Sequence, residues 1–305
     1  TFYDFFETIQ KGENYCAQRL GTQFPVKFKP LDYANTLQPY HYWVYLPKNY
    51  DGQTPLTLVL FLGGRGEFGT NLDALLETAL PKLLLQRQDY PFIVISPQDN
   101  EPIARPPYYQ EVLADALRRF KVDEDKIILT GISSGGAGCW RLALEQPERF
   151  AAMAPVAAVA PFCQITKLRE LPVWIFNNEP DKIWIQDLII AAMSPINPNF
   201  KHTYYKDGTG HDAWTRAYSS TELERWFAAQ TRKTPENPPE DFFASMDFSR
   251  GLTRPEIKTV KNDNYLLLSF DPNIYKGKFA NVTGAHSQRH GSNHDAILWE
   301  AASSI

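Results

Sequence analysis

KIILTGISSGGAGCW, at residues 126–140, is the stretch that decides the fold class predicted from this sequence. Its first six residues contain the apolar and β-branched run IILT, as is typical of a buried strand, and the residues after the bend favour a helix to about Gln146. Two adjacent serines, Ser133 and Ser134, lie between them in a run of glycines. A buried strand that bends sharply into a helix with serine at the bend is one of the contexts in which serine acts as a nucleophile.

The glycine spacing distinguishes the two serines. A nucleophile on such a strained bend crowds the backbone two positions before and after it, and glycine relieves that crowding. Gly131 and Gly135 flank Ser133 at that spacing, whereas Ser134 would have the branched side chain of Ile132 on one side. The pattern G-x-S-x-G therefore predicts Ser133 as the nucleophile.

The rest of the chain to residue 232 predicts an α/β architecture. Further apolar runs of strand length alternate with helical patterns: LTLVLFL, PFIVIS, MAPVAAVA, PVWIF and KHTYYK. Residues 108–121 and 221–231 place apolar side chains on one helical face, the second helix with Thr221 as its expected cap. Continuous apolar strands separated by helices indicate a mostly parallel, doubly wound sheet. Residues 25–34 and 40–50 predict an antiparallel pair at its edge.

The composition changes after residue 232. Residues 233–241 are rich in proline and charge, which is typical of a linker, and residues 256–270 predict a hairpin. We therefore expect one domain over residues 1–232, and a linker with a small C-terminal appendage of unknown role over residues 233–305.

Charge and hydropathy exclude several classes of partner. The net charge of −4 and the lack of a Lys/Arg run argue against nucleic acid. No apolar run approaches the roughly 18 residues that a membrane-spanning helix needs. We expect a soluble protein, either cytoplasmic or secreted after removal of a signal peptide, whose oligomeric state the sequence leaves open.

No metal or other cofactor is predicted. The three cysteines Cys16, Cys139 and Cys163 are far apart and are interpreted as free or buried thiols. His286, His290 and His294 have the spacing of a helical metal site, but the serines and glycines between them oppose a helix.

A serine nucleophile needs a general base, and the base needs a carboxylate that orients it. Downstream of Ser133, only His202 and His211 lie within the predicted domain. His202 begins a predicted strand, whereas His211 lies in a glycine-containing loop after it, so we predict His211 as the base. The loop after PVWIF offers Asp181 as the acid, with Glu179 as the alternative.

The transition state also needs donors for its oxyanion. The first predicted donor is the backbone N–H of Ser134, at the positive end of a helix. The second is expected from the glycine-rich loop at residues 63–69, which follows LTLVLFL and does not match the phosphate-binding Walker pattern.

Four ordered motifs resemble those of one group of α/β-hydrolase esterases: LVLFLGGRGEFG, GISSGGAG, PVWIFNNEPDKIW and GTGHDAWTRAY. The group is related to prolyl-oligopeptidase catalytic domains and includes polyhydroxybutyrate-depolymerase-like and feruloyl-esterase-like proteins. The resemblance covers about residues 40–230 and implies an α/β-hydrolase fold. It also implies that Ser133, Asp181 and His211 form the triad, and that Ser134 and Arg65 supply the oxyanion N–H groups.

The sequence departs from these motifs in two places. Gly63 replaces the histidine that precedes the oxyanion glycine, and Asn177-Asn178 replaces the His-Gly before the acid. A guanidinium at Arg65 can serve anionic or polyhydroxylated substrates, or it can be a solvated side chain whose backbone alone matters.

The short connection between MAPVAAVA and PVWIF predicts an open site without a cap domain. Tyr108, Tyr109 and Trp214 are candidates for an aromatic wall around a sugar or aryl group, although such residues are often simply packed.

The hypothesis is therefore a serine carboxyl-ester hydrolase that works through an acyl-enzyme on a bulky, carbohydrate-linked or aryl-linked small-molecule or polymer ester. One alternative keeps the triad in an acyltransferase or a cyclising thioesterase. Another, motivated by Gly63 and Asn177-Asn178, is a binding protein on a catalytically degenerate hydrolase fold.

Overall fold

The structure is a computed structural model. It describes residues 19–28, 40–99, 106–160, 164–179, 181 and 183–232, and four later strands at 257–262, 265–270, 286–288 and 296–300.

An eight-stranded sheet organises the first 232 residues. Its strands are β1 Thr22–Phe28, β2 Tyr40–Leu46, β3 Leu56–Leu62, β4 Ile93–Pro97, β5 Val122–Ile132, β6 Ala152–Val156, β7 Val173–Asn178 and β8 Phe200–Tyr205. They are arranged in the order β1-β2-β4-β3-β5-β6-β7-β8. The pairs β1/β2 and β2/β4 are antiparallel, and every later neighbouring pair is parallel. The carboxyl ends of β3 and β5 to β8 therefore meet at one edge of the sheet.

Helices cover both faces of this sheet. They are α1 Ala79–Gln86, α2 Pro106–Arg119, α3 Ser133–Glu145, α4 Ile183–Met193, α5 Trp214–Tyr218 and α6 Thr221–Ala229. Buried residues of α2, α3 and α4 form one apolar core, and those of α1, α5 and α6 form a second core on the opposite face. Because the central strands are buried on both faces, they are continuously apolar, as the sequence predicted.

The α/β architecture with its antiparallel edge is confirmed, but several local boundaries differ from the predictions. The first strand begins at Thr22 rather than at residue 25, the second ends at Leu46 rather than at residue 50, and β5 begins at Val122 rather than at residue 126.

Two further differences have an identifiable cause. The predicted cap of α6 was wrong: Thr221 is already helical, and Ser220 is the cap, because its Oγ accepts the N–H of Glu222 at 3.2 Å. The strand predicted to run to residue 160 ends at Val156, because Ala157 adopts a φ of 49°, which interrupts an extended chain.

The later strands form a separate four-stranded sheet in the order β11-β12-β10-β9. They are β9 Ile257–Asn262, β10 Tyr265–Phe270, β11 His286–Gln288 and β12 Ala296–Glu300. The antiparallel pairing of β9 with β10 confirms the predicted hairpin. The predicted linker at 233–241 lies outside the described residues, as do His290 and His294, and His286 belongs to a strand. The division of the chain at residue 232 stays a prediction.

Candidate active site

Ser133 lies at the junction of β5 and α3, where the sequence predicted the bend. It follows Ile132, the last residue of β5, and is the first residue of α3. Its φ is 52°, in the left-handed region that non-glycine residues rarely adopt. Such a conformation costs about 1–3 kcal/mol and persists only where the surrounding structure imposes it.

Close backbone packing imposes this conformation. A Cβ atom at Gly131 would lie 2.7 Å from the carbonyl oxygen of Leu62, at the end of β3. A Cβ atom at Gly135 would collide with the carbonyl oxygens of Leu62 and Gly63. The two glycines therefore allow the elbow to press against the end of β3, and they hold Ser133 at the carboxyl edge of the sheet.

His211 lies in the loop after β8 and contacts Ser133. The distance between its Nε2 and the Oγ of Ser133 is 2.8 Å, and that between its Nδ1 and the Oδ2 of Asp181 is 2.5 Å. A carboxylate can only accept, so Nδ1–H donates to Asp181 and Nε2 accepts the hydroxyl proton of Ser133. The Trp214 ring packs edge-on against the imidazole, with ring centres 5.3 Å apart. These contacts fix the tautomer and the orientation of the imidazole.

Asp181 reaches the imidazole from the loop after β7. Its backbone N–H donates to the carbonyl of Asn178 at 3.1 Å, which fixes the loop immediately after the strand. Its side chain is 12% exposed, against 42% for that of His211. The acid is thus shielded behind the base, whereas the base remains accessible from solvent.

The other candidate side chains are placed differently. Glu179, the alternative acid, is exposed, and its backbone N–H donates to Tyr205. The carboxylate next to His211 in the chain, that of Asp212, does not orient the base either, because it accepts the N–H and the hydroxyl of Thr215 in α5. His202, the alternative base, is exposed on the edge strand β8. The structure brings Ser133, His211, Asp181 and Trp214 together.

Two backbone N–H groups lie at helix starts beside Ser133. Ser134 belongs to the first turn of α3, and Arg65 begins a 3₁₀ turn that ends at Glu67. The first N–H groups of a helix have no acceptor within it and lie at the positive end of its dipole. Gly64 packs on the elbow, since a Cβ there would lie 3.3 Å from Cγ1 of Ile132. Both peptide groups therefore lie at the same edge of the sheet.

Other residues fill the space beside Gly63, the position at which the motif has a histidine. A Cβ atom at Gly63 would lie 2.9 Å from Cδ2 of Leu75 and 3.1 Å from Cβ of Glu67. Burial raises the pKa of the Glu67 carboxyl, although the N–H groups of Gly64 and Glu67 partly offset this effect. Its Oε2 is buried and meets no hydrogen-bond donor within the described part of the chain. The loop therefore leaves no space for a larger side chain at position 63.

Of the three predicted substrate-binding aromatics, only Trp214 is at the site. Tyr108 and Tyr109 are 0% and 1% exposed and belong to the core beneath α2, where the Tyr108 hydroxyl donates to the carbonyl of Gln98 at 2.8 Å. Neither tyrosine offers surface to a substrate. The amphipathic pattern of residues 108–121 already indicated the buried face of a helix, and that signal accounts for both side chains.

One residue at the site was not identified from the sequence as functional. Asn178 ends β7, is 1% exposed and donates its side-chain amide into the loop that carries His211. Its only sequence signal is the departure from the His-Gly of the motif.

The described residues contain no group of three or more His, Cys, Asp or Glu side chains arranged to hold a metal ion. Within the same residues, no helix is long and apolar enough to cross a membrane. Cys139 is a free, buried thiol, and burial raises its pKa well above the usual value.

Of the comparisons with known proteins, only the one with solved structures gave matches. No protein-family model matches the sequence, and no curated protein matches it. A thermostable esterase of known structure superposes with a TM-score of 0.58 at 22% identity, over 70% of this chain and 64% of that one. An acylaminoacyl peptidase from Pyrococcus horikoshii gives 0.53 at 13% identity, over 78% and 46% of the two chains. An S-formylglutathione hydrolase from Staphylococcus aureus gives 0.51 at 19%, over 68% and 96%.

These similarities confirm the α/β-hydrolase fold that the resemblance implied. The chain matches only 64% of the esterase and 46% of the peptidase, so it spans only part of these two relatives.

Proposed function

We propose that this chain is a serine hydrolase that cleaves carboxylic esters through an acyl-enzyme. The contacts among three side chains carry the proposal: Ser133 Oγ lies 2.8 Å from His211 Nε2, and His211 Nδ1 lies 2.5 Å from Asp181 Oδ2. The α/β-hydrolase fold and the similarity to an esterase and an S-formylglutathione hydrolase support it. A serine held at a φ of 52° adds to this support, because strained backbone conformations cluster at active sites.

In the first half of the reaction, the Ser133 oxygen attacks the ester carbonyl while His211 Nε2 takes the hydroxyl proton. Asp181 stabilises the imidazolium that forms but does not itself take the proton. The negative charge on the former carbonyl oxygen is stabilised by the N–H groups of Ser134 and Arg65. The tetrahedral intermediate collapses as Nε2 returns the proton to the departing alcohol, and Ser133 is left acylated.

In the second half, His211 takes a proton from water as that water attacks the acyl carbonyl. A second tetrahedral intermediate forms in the same oxyanion site. It collapses with return of the proton to Ser133 Oγ, so the carboxylic acid is released and the resting enzyme is restored. Atoms and protons balance without a cofactor.

The exposure of the base favours a bulky alcohol or acyl group. The His211 side chain is 42% exposed, and Ser133 is partly exposed, so an ester can approach both from solvent. Trp214 packs on the imidazole and supplies an aromatic surface for a sugar or aryl group. We therefore propose carbohydrate-linked or aryl-linked esters as the substrate class.

The test is hydrolysis of p-nitrophenyl acetate by the wild-type chain, Ser133→Ala and Ser194→Ala, with labelling by a fluorophosphonate probe. Ser133→Ala is expected to lose at least about 10³-fold in kcat and all labelling, because it removes the nucleophile. Ser194 is exposed at the end of α4, outside the site, and its variant should behave as wild type. Absence of both turnover and labelling in the wild type, or their survival in Ser133→Ala, would contradict the proposal.

A further inference from the structure

The side-chain amide of Asn178 is aimed at the loop that carries the base. Its Nδ2 lies 3.3 Å from the carbonyl oxygen of Thr209, 3.2 Å from that of Gly210 and 3.0 Å from that of Asp212. Gly210 and Asp212 are the neighbours of His211 on either side. One amide group thus contacts the peptide groups before and after the base.

The contacts determine which way round the amide lies. Three carbonyl oxygens converge on one atom, and only an N–H group can be favourable there. Asn178 Oδ1, in contrast, is buried and meets no donor among the described residues. Turning the amide over would place its oxygen against three other oxygens.

The loop approaches Asn178 closely enough to require a glycine. A Cβ atom at Gly208 would collide with Oδ1 and Cγ of Asn178. Gly208 also donates its N–H to the carbonyl of Tyr205, the last residue of β8 and the strand partner of Asn178. The loop therefore turns directly over the end of β7.

Asn178 also holds the segment that carries the acid. Its backbone carbonyl accepts the N–H of Asp181 at 3.1 Å, while its side chain donates to the loop on both sides of His211. The backbone of Asn178 thus fixes the loop of the acid, and its side-chain amide fixes the loop of the base. Both loops are therefore held at the end of the same strand, β7.

We propose that Asn178 is a positioning residue that sets the distance and angle of His211 relative to Ser133 and Asp181. This inference rests on the proposed function for its catalytic meaning. The physical claim is that the amide N–H groups of Asn178 restrain the backbone at residues 209–212. A neutral amide suits the position, because a carboxylate there would face three carbonyl oxygens.

The chain offers a matched control in Asn197. This side chain is 2% exposed, and its Nδ2 also donates to backbone carbonyls, those of Leu168 and Leu171, each at 2.7 Å. Both acceptors lie before β7, at the end of the sheet opposite the site. Asn197→Ala removes an equivalent buried amide without touching the loop of His211.

The experiment compares Asn178→Ala, the isosteric Asn178→Asp and Asn197→Ala with the wild-type full chain, at a temperature where all are folded. Three quantities are measured: kcat and KM for p-nitrophenyl acetate, the rate of fluorophosphonate labelling, and hydrogen exchange of the backbone amides at 206–213. We expect about a 10- to 100-fold lower kcat with little change in KM for Asn178→Ala. Asn178→Asp should lose at least as much, because it keeps the shape of the side chain and replaces the donor.

Both Asn178 variants should also react more slowly with the fluorophosphonate probe, and their backbone amides at 206–213 should exchange faster. Asn197→Ala should lower the melting temperature and leave both kcat and the exchange at 206–213 unchanged. A kcat of Asn178→Ala within twofold of wild type, or Asn178→Asp behaving as wild type, would overturn the inference while the proposed function stands. If the wild type neither hydrolyses the ester nor takes the label, the proposed function fails. Exchange at 206–213 then decides the inference, and exchange that is unchanged in both Asn178 variants rejects it.

Discussion

The nucleophile and the base meet at one edge of the sheet, but different forces hold them. Ser133 is fixed by backbone packing, because Gly131 and Gly135 allow α3 to press on the carbonyl groups at the end of β3. His211 lies on an exposed loop that is held by polar contacts, chiefly the amide of Asn178 and the carboxylate of Asp181. A packed backbone resists displacement steeply, whereas hydrogen bonds to a surface loop contribute only about 0.5–1.5 kcal/mol each.

This difference suggests how the two sides would respond to substitution. Changes on the side of the nucleophile should disturb the fold as well as the reaction, because the elbow forms part of the central sheet. Changes on the side of the base should lower the rate while most of the stability remains. Three substitutions would test this separation: Asp181→Asn has the largest expected effect, Gly135→Ala the next and Gly208→Ala the smallest.

The largest effect is expected for Asp181→Asn. An amide can donate to Nδ1 and stabilise the tautomer in which Nε2 carries the proton, so the imidazole can no longer accept the proton of Ser133. We expect kcat to fall by about 10³- to 10⁴-fold, with KM and the melting temperature close to those of the wild type. Steady-state kinetics and thermal unfolding measure these quantities.

Glu179→Gln is the matched control for the acid, because Glu179 lies two residues away, is exposed and was the alternative candidate. Its kcat should stay within about twofold of wild type, as is usual for an exposed side chain outside the site. A large loss in Glu179→Gln together with a small one in Asp181→Asn would reverse the assignment of the acid.

The second prediction concerns the packed side. In Gly135→Ala the new methyl group meets the carbonyl oxygens of Leu62 and Gly63, which belong to the backbone and cannot rotate away. We expect the free energy of unfolding to fall by about 3 kcal/mol or more, as measured by urea denaturation, together with a loss of turnover. Gly66→Ala is the control for stability, since a Cβ there meets nothing within 4 Å. Equal unfolding free energies for these two variants would refute the role assigned to backbone packing.

The same difference between packed backbone and polar loop contacts explains which parts of the site the sequence predicts. Crowding at the elbow depends on residues two positions either side of Ser133, so the spacing of Gly131 and Gly135 expresses it directly. The alternation of apolar strands and helices likewise predicted the α/β sheet and its antiparallel edge. Such features can be predicted because their causes are local in the chain or periodic along it.

The role of Asn178 could not be predicted in that way. Its acceptors lie 31 to 34 residues further along the chain, and their approach depends on how β7 and β8 pair. Tyr108 and Tyr109 show the opposite error, because residue type suggested an aromatic wall where the position on α2 buries both rings. Contacts that join separate loops depend on the whole fold. The replacement of a single motif residue by Asn178 therefore does not by itself predict them.

The smallest effect is expected for Gly208→Ala, which tests whether the base loop and Asn178 act as one unit. The new methyl group would displace the Asn178 side chain, so this substitution should lower kcat about tenfold by breaking the same contacts as Asn178→Ala. The double variant removes the atoms with which the methyl group collides most closely. Its kcat should therefore be close to that of Asn178→Ala alone rather than the product of the two single effects, a coupling that a double-mutant cycle measures. If the two losses multiply instead, Gly208 and Asn178 act independently, and the base loop is held by contacts other than this amide.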